Sequence, residues 1–375
     1  MEKLEQKSRV PLVYRIVGEN LRHRMMRTIL TSLAIGLGVT MILAIVGLSR
    51  GMLEDQQQRA RGVGADIFLI PPGMSAVAIT SAPLSEKYVE VVSEQPHVAL
   101  ATPTVVQPLE RINRITGIDY DQYNSMANLD FIEGGPFEDR LDVILDRFYA
   151  DQNSLGVGDT LELIGQQWRV CGIVEPGKMA RVVVQKNVLQ ELTGAVGKIT
   201  MINVKLDSPE NLDIVVEQMR EKFGEALQVY TVEEIVSQFS PDSIPELQTF
   251  IKIITGLSVV FGFLVIFLTM HTAVLERTKE IGILKSLGAS SGYILGIFVR
   301  EAFALGALGT VVGIMGSFVT REAIAAFIPA SMQQIIVPSW WPIALGVTLG
   351  GALLGVIYPA WNASQQDALE SLAYE

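Results

Sequence analysis

Residues 276–290 read Glu276-Arg277-Thr278-Lys279-Glu280-Ile281-Gly282-Ile283-Leu284-Lys285-Ser286-Leu287-Gly288-Ala289-Ser290. One membrane-length apolar run ends directly before this stretch, and the stretch leads into another. A charged segment this short cannot hold a domain of its own. Pinned between two spans, it can form a small rigid knob on the membrane surface, suited to being pushed by a partner. The expectation is a machine whose energy source lies on another chain.

Composition sets the class. Of 375 residues, 49% are hydrophobic and only 18% charged. With a positive mean hydropathy, this fits a membrane protein better than a soluble enzyme of equal length. Charge is unevenly placed. Residues 1–27 carry seven Lys/Arg against three Asp/Glu, whereas residues 51–249 carry 15 against 30. A basic start and an acidic bulk argue against nucleic acid as partner, because most of the surface would repel phosphate. Cys171 is the only cysteine, so no intramolecular disulfide is possible. It lies in an apolar alternating run with Trp168, Val170, Gly172 and Val174 and reads as core.

Four spans are expected. Thr28 to Ser49 is 22 residues without a charge, bracketed by Arg27 and Arg50. At a helical rise this crosses a hydrocarbon core of about 30 Å. It is longer than a signal-peptide apolar region and lacks its cleavage site, so an uncleaved anchor is favoured. Ile253 to Leu275 gives a second span with His271 as its only ionisable group. Ala302 to Thr320 gives a third, with Arg300 and Glu301 at its entrance, where long side chains can reach the interface. Trp340 to about Pro359 gives a fourth, anchored by Trp340 and Trp341.

The resulting partition is membrane helices at 28–50, 250–275, 293–320 and 340–361. A cytoplasmic helix at 1–27 precedes them, an outer domain occupies 51–249, and a cytoplasmic segment lies at 276–292. An outer loop (321–339) and a cytoplasmic tail (362–375) complete it. Basic residues in short loops set the orientation. There are seven before span one, three within Glu276–Lys285, and only Arg321 between spans three and four. Both termini and the 276–290 stretch are therefore expected in the cytoplasm, with the acidic domain outside. Residues 11–27 mix apolar and basic positions at helical spacing and read as an amphipathic helix on the inner leaflet, in contact with membrane lipid.

The expected fold class is thus four transmembrane helices with an α+β extracytoplasmic domain between spans one and two. Within that domain, Val77–Thr80, Thr160–Leu163, Trp168–Val174, Val182–Gln185 and Thr200–Leu206 read as strands. Glu86–Glu94 and Leu212–Phe223 read as helices. Gly51–Arg61 should extend span one as a stalk with Gln and Arg outward. Ser243, Pro245 and Glu246 offer an N-cap, an early proline and a capping-box glutamate for a helix running unbroken into span two.

A search for chemistry finds little. Gly194-Ala195-Val196-Gly197-Lys198-Ile199-Thr200 fails as a phosphate loop: Leu192 stands five before Gly197, and Ile199 follows Lys198. Gly36-Leu37-Gly38 lies inside a span, and Gly62-Val63-Gly64 and Gly156-Val157-Gly158 lack the strand–helix frame of a dinucleotide loop. His23, His97 and His271 fall in three compartments and cannot share a metal, so no metal site and no catalytic set are expected. Acidic pairs such as Asp119/Asp121 and Glu138/Asp139 read as solvated surface. His271 and Glu301, ionisable groups at or within spans, are candidate functional residues. For His271, near the cytoplasmic end, a solvated or helix-packing role is the stronger reading. Gly309/Gly313 and Gly351/Gly355 have GxxxG spacing, which suits either packing within the chain or a dimer seam.

The 276–290 stretch resembles the cytoplasmic coupling helix of MacB/FtsX-type ABC transporter permeases, a mechanotransmission superfamily. Their pattern is met by Glu276, Arg277, Thr278, Glu280, Ile281, Gly282, Leu284, Lys285, Leu287, Gly288, Ala289 and Ser290. The family's glutamate at span three is matched by Glu301. Its closing Pro-Ala-x-x-Ala is matched by Pro359, Ala360 and Ala363, with Trp361 where Arg is usual. Gly117-Ile118-Asp119, Glu133-Gly134-Gly135-Pro136 and the run from Leu155 to Val174 resemble the family's extracytoplasmic domain.

The resemblance implies a non-catalytic subunit of a bacterial inner membrane, its large domain periplasmic or extracellular, that binds no cofactor itself. ATP and Mg would sit on a separate ABC ATPase subunit present in two copies. A second permease chain, identical or not, would complete a dimer, and a periplasmic adaptor is a further possible partner. Ile281, Leu284 and Leu287 would dock into the ATPase. Arg277, Lys279, Glu280 and Lys285 would fix register through charge, with Gly282, Gly288 and Ala289 completing the coupling set. The implied function is ATP-driven export or extraction of an amphiphile such as a lipoprotein, lipid, peptide, haem or drug. The alternative is mechanical regulation of a cell-wall hydrolase without transport.

Overall fold

The structure is a computed structural model that describes residues 12–73, 84–109, 114–178, 180–240, 243–327 and 333–365. The strand expected at Val77–Thr80 lies outside the described residues. The chain divides into two compact units, one of apolar helices and one built mainly from Arg50–Pro245.

In chain order, α1 (Leu12–His23) precedes α2 (Met25–Gly62), a single helix of 38 residues. The inserted domain follows with β1 (Ile67–Ile70), β2 (Leu84–Ser85), α3 (Lys87–Ser93), β3 (Val98–Pro108), β4 (Arg114–Ile118), α4 (Tyr120–Ala127), β5 (Phe131–Gly134) and β6 (Asp142–Asp146). Next come α5 (Arg147–Asn153), β7 (Thr160–Leu163), β8 (Gln166–Val174), β9 (Val182–Gln185), α6 (Lys186–Leu192) and β10 (Lys198–Ile199). The domain closes with β11 (Met201–Leu206), α7 (Leu212–Phe223), β12 (Gln228–Thr231) and α8 (Val232–Gln238). The chain ends with α9 (Pro245–Glu276), α10 (Thr278–Ser286), α11 (Ser291–Phe327) and α12 (Trp341–Gln365).

The inserted domain is α+β. Ten strands form one mixed sheet in the order β12-β1-β11-β3-β4-β9-β6-β8-β5, with β7 paired to β8. Most pairings are antiparallel, but β4–β9 and β6–β8 run parallel. Strand β6 shows why both faces are apolar. Val143 and Leu145 point into a core shared with Trp168, Val215, Met219 and Phe223. Ile144 between them points into a second cluster with Tyr123, Ala127 and Val183. A strand covered on both faces loses polar alternation and reads as a continuous apolar run. Trp168 is fully buried, and its indole Nε1 donates to Leu163 O at 2.9 Å, which satisfies the one polar atom such a residue brings inside.

Among the described residues, four helices are long and apolar enough to cross a membrane, within α2, α9, α11 and the segment Pro338–Gln365. Small residues set their packing. A side chain at Gly309 or Gly313 on α11 would collide with Ile35 or Val39 on α2, and Thr40 Oγ1 donates to Gly313 O at 3.1 Å. On α12, Gly351 and Gly355 face the backbone of α9 at Val259 and Phe263. Thr310 and Thr348 hydroxyls meet at 2.7 Å between α11 and α12. Both GxxxG pairs are thus filled from within the chain.

Three expectations need correction. Helix α11 runs seven residues past Thr320, to Phe327, because Arg321-Glu322-Ala323 are good helix formers and no breaker intervenes. Ser243 does not cap α9; its hydroxyl donates to Ser237 O at 2.7 Å, while Pro245 takes the first helical position. In the stalk part of α2, Arg59 points inward, its side chain only 11% exposed.

Candidate functional site

Helix α10 is cut out of the chain by local chemistry. Arg277, at φ −113° and ψ 17°, breaks the run from α9. Thr278 Oγ1 donates to Val274 O and Leu275 O at 3.1 and 3.0 Å, closing the last turn of α9. At the far end Gly288 adopts φ +92°. Ala289 N donates to Leu284 O, and Gly288 N to Lys285 O, both at 2.9 Å. This is a Schellman closure, for which glycine is the favoured residue. Ser290 then caps α11 by accepting from Tyr293 N at 3.2 Å.

Burial divides α10 into two faces. Thr278, Ile281 and Gly282 are buried, and Ile281 joins the core of Met270, Val274, Ile294 and Phe298. Lys279, Glu280, Ile283, Ser286, Leu287 and Gly288 are exposed, while Leu284, Lys285 and Ala289 are half-buried. Ile283 and Leu287 are 50% and 80% exposed, large apolar groups one turn apart. Ile281, expected to meet a partner, is instead buried against the chain's own spans, while Ile283, which the sequence reading passed over, lies on the open face. A 3.6-residue period would have put Ile283 beside Leu287.

Beneath α10 lies a cluster of charges. Arg277 Nη1 donates to Glu301 Oε2 at 3.0 Å, with side chains only 6% and 1% exposed. Arg27 Nη2 donates to Glu301 Oε1 at 3.5 Å, and Asn20 Nδ2 to Oε2 at 3.4 Å. Arg27 Nη1 also donates to Glu276 Oε2 at 3.2 Å, and Arg24 contacts the same carboxylate. One buried carboxylate thus ties together α1, α2, the root of α10 and α11. Glu301 was expected at the interface, and Arg277 among the residues that meet a partner; both are buried in this cluster. An ionised group in an apolar setting needs paired partners, and that rule, applied to Glu301, points to cations elsewhere in the chain. His271 is half-buried and stacks on Phe267 at 6.1 Å between ring centroids, a packing role.

In the inserted domain, Cys171 is half-buried with its Sγ 3.5 Å from Val143 O. Burial, reinforced by the Asp142 charge, pushes its thiol up to about 12, which disfavours the reactive thiolate. His97 is exposed and bonded to Asp207 and Asn211.

Four membrane-length helices bracketing one α/β domain, with a capped charged helix between the second and third, define a multi-span membrane protein built around an inserted domain. Residues 28–222 match the MacB-like periplasmic core domain, and residues 252–368 match the FtsX-like permease C-terminal domain. The chain belongs to the MacB/FtsX family of ABC transporter permeases. It is 31% identical over 233 residues to an ABC transporter permease of Methanocaldococcus jannaschii, covering 58% of each chain. It is 25% identical to the macrolide export ATP-binding/permease protein MacB of Hahella chejuensis, over 94% of this chain and 58% of that one. It is also 25% identical to the ABC transporter permease YknZ of Bacillus subtilis, over 95% and 96% of the two chains. The chain thus spans about three fifths of the length of the first two relatives.

Proposed function

We propose that this chain is the transmembrane subunit of an ABC system and hydrolyses no nucleotide itself. A separate ATPase, in two copies, presses on the exposed face of α10, and two permease chains pair to complete the assembly. The push passes through Glu301 to α1, α2 and α11, and along α2 toward an inserted domain held outside the membrane. Its work is the export or extraction of an amphiphile, with ATP and Mg held by the ATPase alone. The relatives' names support this reading: one carries ATP-binding and permease parts in a single macrolide exporter.

One observation carries the proposal. Arg277 and Glu301 form a buried pair at the point where α9 gives way to α10. A helix mounted on an apolar contact alone could swivel. A buried forked ion pair has one favoured orientation, so a force on α10 is delivered to the spans. The exposed Ile283 and Leu287 supply an apolar surface for the ATPase to grip. Replacing both with Asp tests this. The ATPase should cease to co-purify while the chain remains inserted and folded; co-purification at the wild-type level rejects the docking face.

A further inference from the structure

The far end of α2 carries charge into the interior of the inserted domain. Asp55 and Arg59, one helical turn apart, have side chains 12% and 11% exposed. Arg59 Nε and Nη2 donate to the two Asp55 oxygens at 3.0 and 3.2 Å. Arg59 Nη2 also donates at 3.1 Å to Asp146, whose side chain is 0% exposed. Arg181 closes the ring: its Nη2 donates to Asp55 Oδ2 at 3.0 Å, and its Nη1 lies 3.7 Å from Asp146 Oδ2. The Arg181 guanidinium also covers the Phe148 ring at 5.8 Å. Asp146 is held in turn, since its Oδ1 accepts from Tyr149 N at 2.8 Å as the cap of α5.

The backbone meets the helix end as closely. A side chain at Gly62 would collide with Gly177 O. Gly64, at φ +77°, lies against Met126 O, and Gly177, at φ +92°, lies against the Gln58 side chain. The helix end is therefore fixed both by the ring and by contacts that no side chain could enter.

Four buried charges that sum to zero add little net stability, because desolvation offsets most of their attraction. Arg59, forked onto Asp55 and bonded to Asp146, and Arg181, bonded to Asp55 and in ion-pair range of Asp146, together favour a single orientation. We infer that Asp55, Arg59, Asp146 and Arg181 form a rigid joint that makes the inserted domain turn with α2. These are positioning residues, and the inference rests on the relay reading above. The sequence hint was the Asp55/Arg59 pair at i, i+4 on a helix that ought to be solvated.

The test uses the full chain with its co-purifying ATPase in nanodiscs, with Cys171 replaced by Ala. Spin labels at Gln56→Cys on the helix and Val196→Cys on the domain report the joint. In the wild type the distance distribution should be narrow and unchanged by ATP. The double variant Asp55→Asn with Arg181→Gln removes one cation and one anion, leaving the Arg59–Asp146 pair intact. It should keep its ATPase rate, show a broadened distribution without nucleotide, and gain a shift on adding ATP. Arg181→Lys, which retains the charge, should narrow the distribution again. A residue serving only global stability would lower the melting temperature without creating an ATP-dependent shift.

A double variant as narrow and ATP-independent as the wild type overturns the joint, as does a wild type whose distance moves with ATP. A second label pair, Lys279→Cys with Gln56→Cys, reads the relay itself. If ATP leaves that distance unchanged the relay fails, and the nucleotide-free width still decides the joint.

Discussion

Arg277 and Glu301, 24 residues apart in sequence, meet at 3.0 Å at the base of α10 with both side chains buried. Neither charge has water to fall back on, so each depends on the other. Glu301→Ala should cost about 3–5 kcal/mol, the usual penalty for stranding a buried charge. The double change Arg277→Met with Glu301→Leu should recover most of that in a detergent melting experiment. Recovery of stability without recovery of ATP-driven motion would separate the packing role of the pair from the proposed relay.

The same pair marks where sequence reading stopped. Apolar run length announced the spans, and period and capping residues announced local elements. Helix α7 occupies Leu212–Phe223 and β9 occupies Val182–Gln185, as expected. The parallel joining of β4 to β9 was not legible, because it depends on contacts between residues about 67 apart and on no local signal. Likewise Arg277 looked like surface charge, since its neighbours Lys279 and Glu280 are exposed. Only a partner far along the chain shows that it turns inward. Arg59 was misread for the same reason.

Glycines filled from within the chain should behave differently from open ones. Gly313→Leu would drive a side chain into Val39 and should lower stability by about 1–3 kcal/mol or more, as overpacked cores do. A side chain at Gly346 or Gly350 on α12 would meet nothing within 4 Å among the described residues. Leu at either position should leave the melting temperature of the single chain unchanged. Comparing the variants by thermal unfolding checks this, and crosslinking shows whether the open pair meets a second chain.

Acid should loosen the inserted domain through Asp142. Burial opposes ionisation of this carboxyl. The opposing hydrogen bonds from Arg169 and from the backbone of Asp139 and Glu138 outweigh it and hold the group below the usual carboxylate range. A folded value below the unfolded one, about 4, means the stabilisation is present above that unfolded value. It is lost as pH falls from there through the folded one. Urea unfolding of wild type and Asp142→Asn at neutral and acidic pH should show a gap that closes on acidification. A gap that stays constant would remove Asp142 from the account.

Force entering at α10 is proposed to reach the inserted domain through the Arg277–Glu301 pair. The most direct measurement is a charge-swap cycle on the assembled complex, reading ATP-driven movement of the domain by spin-label distance. In an Arg27→Gln background, which spares position 301 a second cation, Arg277→Glu and Glu301→Arg should each abolish the movement, and the two together should restore it. Movement that persists at full amplitude in either single variant, with the ATPase still bound, would contradict the account.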